Sequence, residues 1–394
     1  MAKKQAKRWT APPAELLRPG DDFDLATMDR AATPGWDGGK KAAKAFLEER
    51  GELLSELQER LFAHGRTGGS RAVLLVVQGL DTAGKGGIVR HVIGMVDPQG
   101  VALRAFGVPT EEERRHHYLW RVRRSLPTAG MIGVFDRSHY EDVLVPRVET
   151  GEDIDVQRRY DEINRFERQV ALGGTTIVKV ALMPSYEEQG LRLMERLDRP
   201  DKWWKWNPGD VDTRRKWDAY QEAYADLLTH THTDAAPWHV VPADRKWYAR
   251  LAVTELLTQA LVDLDLSWPR PRWRVETQKR RLAATMSEAS LAEAEQVARE
   301  KADRHRANEQ AYEAAVTRID DGVPSPSLTA RAEGASGKGM AARPAEPTNG
   351  QSRKSDKKGA RTTRDSTKKA GKKNAGKNNV AKKKNVGKKK AAKK

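Results

Sequence analysis

Between residues 40 and 65 the chain reads KKAAKAFLEERGELLSELQERLFAHG, and Phe46, Leu53, Leu57 and Leu61 recur there at helical intervals. That spacing predicts a long amphipathic helix packed on a sheet. Elsewhere the apolar residues come in short unbroken runs, at 73–77, 131–135 and 175–180, with HVVP at 239–242 as a fourth. Runs of this length read as buried strands, and helical patterning follows each of the first three. The alternation predicts an α/β fold of three layers, helix–sheet–helix, around a mostly parallel sheet. Ligands of such sheets sit at the carboxyl ends of the strands, so the chemistry belongs in the loops that follow the runs.

The first of those loops lies in VLLVVQGLDTAGKGGIVRHVIG, residues 73–94, where Gly79, Gly84 and Lys85 have Walker A spacing. Strand, glycine-rich turn and helix succeed one another, with Ile88, Val89, Val92 and Val96 as the helical stripe, so the segment predicts a P-loop of the kinase type. Backbone N–H groups of Gly79, Thr82, Ala83, Gly84, Gly86 and Gly87 would face phosphate, and Lys85 would supply a point charge. Two positions depart from the usual loop. Gly86 stands where a Ser or Thr would bind magnesium, and an acid, Asp81, sits inside the loop. The metal therefore needs another ligand, and Asp136, at the end of the second apolar run, occupies the position from which a carboxylate reaches Mg2+ beside phosphates. Asp81 is either a second oxygen ligand or the group that orients an attacking phosphate.

Arg137 follows Asp136 directly, suited to bidentate contact with phosphate oxygens, and Ser138 and Tyr140 lie close behind as further phosphate ligands. Upstream, Thr110 and Glu113 have capping-box spacing, which predicts a helix over 111–125. Tyr118, Leu119 and Val122 would form its buried face. Of the arginines left over, Arg121 is the expected phosphate ligand. His116 and His117 are adjacent, hence on different sides of a helix, and define no metal site.

Composition changes the picture mainly at the ends. Of the 72 Lys+Arg and 55 Asp+Glu, residues 335–394 hold 21 and 3, a net of +18, which leaves 51 and 52 for residues 1–334. The excess charge is thus a property of the tail, and a globally basic nucleic-acid-binding surface is not implied. All eleven Trp lie between Trp9 and Trp273, so the core is expected to end well before the tail. The organisation read from this is a basic arm at 1–15, a catalytic domain at 16–275, an exposed helical extension at 276–319 and a disordered Lys-rich tail at 320–394. There is no cysteine, no secretory h-region and no spanning apolar run, which points to a soluble cytoplasmic protein.

The motifs GLDTAGKGG, FDRSHYEDVLVPRV, DRPDKWWKWNPGDVDTRRKWDAY and PWHVVPADRKWYARL, in this order, resemble the signatures of the polyphosphate kinase 2 family. The resemblance runs from about Phe23 to Trp273, and HYED and ADRKWY are most similar to the third class, whose members phosphorylate nucleoside mono- and diphosphates. It implies transfer of the terminal phosphoryl group of inorganic polyphosphate to a nucleotide, with Asp81 and Asp136 placed around magnesium and Lys85 and Arg137 beside the phosphates. It also implies a mobile lid, here about 197–220. Pro200, Pro208 and Gly209 suit a lid by interrupting regular structure, and Lys202, Trp204 and Lys205 are its expected contact residues. Some third-class sequences carry Asn at the position of Asp136. A homo-oligomer is expected.

Two other readings compete. An ATP-dependent nucleotide kinase shares the loop, but Asp81 and Gly86 favour polyphosphate over it. A nucleoid-type protein with a vestigial kinase fold would use the tail, whose +18 binds DNA or any polyanion through counterion release.

Overall fold

Five strands form one parallel sheet: β1 (Ala72–Gln78), β2 (Val101–Ala105), β3 (Ile132–Asp136), β4 (Thr175–Met183) and β5 (Trp238–Pro242), in the order β2-β3-β1-β4-β5. They belong to a computed structural model that describes residues 9–320. Most of the expected basic arm and nearly all of the expected tail lie outside the described residues. The principal helices are α1 (Lys40–Arg66), α2 (Lys85–His91), α3 (Glu111–Arg114), α4 (Leu119–Arg123), α5 (Glu141–Val145) and α6 (Val156–Leu172), then α7 (Tyr186–Asp198), α8 (Gly209–Arg215), α9 (Trp217–Thr231), α10 (Lys246–Val262), α11 (Val275–Ala283) and α12 (Glu288–Asp320).

β1 is central and buried along its whole length, because its alternate side chains enter two different cores. Val73, Leu75 and Val77 join Leu54, Leu57 and Leu61 of α1, Ile88 of α2 and Leu251 and Leu257 of α10. Leu74 and Val76 join Leu119 and Val122 of α4, Val143 of α5, Tyr160, Ile163 and Phe166 of α6 and Tyr224 and Leu227 of α9. The three layers expected from the sequence are present. Asp155 caps α6 by accepting from Arg158 N–H at 2.9 Å, and Tyr160, Ile163, Phe166 and Val170 set its buried stripe.

Three elements differ from expectation. β2 adds a fifth strand at the sheet edge, where its last three residues are exposed and no apolar run announces it. The helix expected over 111–125 is divided into α3, with the Thr110–Glu113 capping box, and α4. In α1 it is Leu54, rather than Leu53, that is fully buried with Leu57 and Leu61, while Phe46 and Leu53 pack at the margin of the same core. After the core the chain continues in α11 and α12, whose described side chains are mostly exposed. Among the described residues no helix is long and apolar enough to cross a membrane.

The strand order fixes where a ligand fits. After β1 the chain proceeds to β2 and β3 on one side, and after β3 it crosses to β4 on the other. The connections diverge between β1 and β3, and a crevice opens there at the carboxyl ends.

Candidate active site

Both loops at that crevice leave their strands through backbone conformations that aim side chains inward. Gly79 follows β1 at φ +148°, and a Cβ there would lie 2.7 Å from Leu182 O and 2.9 Å from Ala83 Cβ, so only glycine fits. Thr82 at φ +63° and Gly84 at φ +118° complete the turn into α2. Gly86 is different. A Cβ there would meet nothing within 4 Å, so space does not exclude a serine, and the missing hydroxyl is a matter of chemistry.

Lys85 is buried and its Nζ donates to Gly79 O at 2.7 Å and Leu80 O at 3.1 Å, drawing the loop around its ammonium group. Burial and the nearby Arg137 lower its pKa, against the opposing pull of Asp81, Asp136 and Glu141. Arg137 follows β3 at φ +62° and its Nη2 donates to Asp81 Oδ1 at 2.7 Å. Burial alone would raise the Asp81 carboxyl, but Lys85, Arg137 and Arg196 outweigh it and hold the group below the usual carboxylate range. For Arg137, the carboxylates of Glu141 and Asp81 more than offset burial and keep the guanidinium firmly charged.

Two cavities meet at Asp81. The first, about 480 Å³, runs along the P-loop and contains Asp81, Thr82, Ala83, Gly84, Gly86, Gly87, Lys85 and Asp136 in its wall. Its lining carries eight Lys and Arg side chains against three carboxylates, and no aromatic residue. The second, about 550 Å³, lies on the β3 side, bounded by Gly79, Arg137, Glu141, Leu144, Val145, Tyr220 and Tyr224, with five carboxylates against three basic groups. Asp81, Arg196 and Lys205 belong to both.

The structure thus brings together Asp81, Lys85, Asp136, Arg137 and all the loop residues expected at phosphate. Lys202 and Lys205 join them from a short 3-10 helix, Pro200–Lys205, within the segment read as a lid. Four of the expected residues line neither cavity. Arg121 is 5% exposed and committed elsewhere: it donates to Gly107 O at 2.9 Å and to both oxygens of Asp142 at 2.9 and 3.2 Å. Ser138 is buried, its Oγ accepting from Gln78 Nε2 at 3.2 Å and from Tyr140 N–H at 3.3 Å. Tyr140 is buried in the core with its hydroxyl 2.7 Å from Glu167 Oε1, and it lines neither cavity. The turn at Arg137 explains both: one residue faces the crevice, and the chain then enters the core. Trp204 is 77% exposed, stacked under its neighbour Lys205, and reaches neither cavity.

Sequence reading missed the rest of the cationic wall. Arg192 of α7 donates to Thr82 O and Ala83 O of the P-loop and to Ala243 O and Asp244 O beyond β5, lacing two loops together. Arg196, one turn further, faces both cavities, and Lys246 and Arg250 of α10 close the far side of the first. Glu141 was also missed. Burial raises its pKa, with Arg137 and Lys85 opposing. The one available signal was the four-residue spacing of Arg192 with Arg196 and of Lys246 with Arg250, which puts each pair on one helix face.

Asp81 and Asp136 suit a hard divalent cation. Mg2+ is commonly held by one or two carboxylates with water and substrate phosphates supplying the remaining oxygens, and a cationic phosphate cradle adjoins both groups here.

A parallel sheet with a P-loop after its central strand and a carboxylate at the end of its neighbour defines a phosphoryl-transfer protein of the P-loop kinase type. Residues 37–267 match the family model for polyphosphate kinase 2, and the chain belongs to that family. It is 44% identical over 256 residues to an AMP/ADP-polyphosphate phosphotransferase of Meiothermus ruber, covering 65% of this chain and 94% of that protein. An ADP-polyphosphate phosphotransferase of Rhodopseudomonas palustris is 37% identical over 263 residues, covering 64% and 89%. Among solved structures, polyphosphate kinase 2 from Arthrobacter aurescens TC1 superposes with a TM-score of 0.69 at 50% identity, covering 70% of this chain and 98% of that one.

Proposed function

We infer that the chain transfers the terminal phosphoryl group of inorganic polyphosphate to nucleoside mono- and diphosphates, converting AMP to ADP and ADP to ATP, with Mg2+ as cofactor. The observation that carries this reading is the cationic cavity along the P-loop, which shares Asp81, Arg196 and Lys205 with a second cavity. The first suits a long polyanion, since its walls are cationic beyond the P-loop as well as at it. The second suits a nucleotide, with Leu144, Val145 and the Tyr220 ring available to a base and Arg137 to its phosphate.

In this mechanism Lys85 and the loop N–H groups hold the terminal phosphate of the donor, and Arg196 and Lys205 hold charge between the two substrates. Arg137 draws an oxygen of the acceptor phosphate toward the donor phosphorus. Asp81 and Asp136 would hold Mg2+, which when bound neutralises charge on the phosphate oxygens. The acceptor phosphate is already an anion near neutral pH, so the reaction needs positioning and charge neutralisation more than a strong base. The same geometry opposes the ATP-dependent alternative: the P-loop cavity has no aromatic wall for a donor's adenine, and Arg90, Lys246 and Arg250 line it with charge instead.

Incubation with polyphosphate, Mg2+ and either AMP or ADP, products resolved by chromatography, should yield ADP and ATP with no ATP supplied. Transfer from ATP to a nucleotide, with no product from polyphosphate, would overturn the reading.

A further inference from the structure

Two buried tyrosines, Tyr160 of α6 and Tyr224 of α9, have hydroxyls without a hydrogen-bond partner among the described residues, and of the two only Tyr224 lines a cavity at the site. Its ring is 1% exposed and packed in the second core, yet it contributes to the wall of the second cavity. Its neighbours in that cavity are spoken for: Tyr220 donates to Glu149 Oε1 at 2.9 Å, and Glu149 also accepts from Lys216 at 2.6 Å. Tyr140, Tyr118 and Tyr248 likewise give their hydroxyls to Glu167, Arg159 O and Pro34 O. The Tyr224 hydroxyl has no hydrogen-bond partner among the described residues, and a buried tyrosine ordinarily has one.

We propose that Tyr224 donates a hydrogen bond to a phosphate oxygen of the acceptor nucleotide, beside Arg137, and so helps aim the attacking oxygen at the donor. The proposal rests on reading the second cavity as the acceptor site. Three properties of the position fit. The ring is held rigidly by core packing, so the hydroxyl is preorganised and orders at little entropic cost. The charges that act on it are chiefly those of Glu141, Arg137 and Asp81, all of which line the same cavity. Burial and the Glu141 carboxylate raise its pKa well above the ordinary value, so it stays a donor and never a base across the working pH range.

The test is Tyr224→Phe, which removes one oxygen and keeps the ring. Melting temperature should not fall, since no protein hydrogen bond is lost. The dissociation constant for AMP measured calorimetrically without polyphosphate, and the KM for AMP and ADP, should rise about 10- to 100-fold, the range for one hydrogen bond to a charged group. The KM for polyphosphate should stay unchanged, and the defect should be the same at pH 6 and pH 9. Unchanged AMP binding with unchanged turnover would overturn the proposal. A raised KM for polyphosphate with normal AMP binding would overturn the assignment of the cavities beneath it.

Discussion

Asp81 occupies the one wall that both cavities share, paired with Arg137 at 2.7 Å and depressed in pKa by the cations around it. Asp81→Asn keeps the shape and removes the charge. Arg137 retains Glu141 as a counter-charge, so the fold should survive, whereas turnover at saturating substrates should fall at least about 100-fold, the scale on which a single preorganised electrostatic group acts. A rate near that of the unaltered protein, with an unchanged melting curve, would reduce Asp81 to a turn-stabilising residue. This residue was legible in the sequence because the P-loop is a local motif: strand, turn and helix fix where a side chain two positions after Gly79 must point. Ser138 and Tyr140 were misread for the complementary reason. Adjacency to Arg137 says nothing of direction once a residue at φ +62° intervenes.

Among the elements, β4 and α6 carry a buried charge network that no pattern of apolar positions discloses. Lys179 Nζ donates to Glu167 Oε2, Tyr140 Oη and Thr231 O at 2.7, 2.8 and 2.7 Å, while His139 Nε2 lies 3.1 Å from Glu167 Oε1. It ties α5's leading turn, α6, β4 and α9 together behind Arg137. Burial would raise Glu167, but Lys179 and His139 outweigh it and hold the carboxyl below its usual range, so its contribution is present above the unfolded pKa and is lost as the pH falls through the folded one. Lys179→Met should cost about 3–5 kcal/mol at neutral pH by stranding Glu167 in the core. Without the lysine the Glu167 pKa rises, so the deficit should shrink as the pH falls and the carboxyl becomes neutral. Denaturant midpoints at two pH values check both parts, and a loss under about 1 kcal/mol would mean that water or movement relieves the charge. Elements with two buried faces or an apolar stripe, β1 and α1, were readable from the pattern of apolar positions. The edge strand β2 was not, because three of its five residues are exposed and it is defined by pairing with β3 rather than by hydrophobicity. The cationic wall was legible only as two pairs at four-residue spacing, since Arg192, Arg196, Lys246 and Arg250 come from two helices that meet only in three dimensions.

Taken whole, the molecule combines a catalytic region that is near neutral in charge with residues 335–394, outside the described structure, at a net +18. Polyphosphate is a linear polyanion, and the P-loop cavity is itself cationic, so a long chain held by the tail has a second anchorage on the same molecule. Linking two weak sites for one ligand raises the effective concentration at each, provided the ligand is long enough to engage both. The attraction depends on counterion release and must therefore fade steeply with salt. Deleting residues 335–394 should leave turnover at saturation nearly unchanged and raise the KM for long-chain polyphosphate at low salt. It should have little effect on chains too short to reach both sites, and should abolish most DNA binding. Steady-state kinetics with short and long polyphosphate at two salt concentrations separates the possibilities. If the truncated enzyme keeps the same KM for long chains at low salt, the tail does not recruit substrate, and its charge serves DNA or another anionic partner.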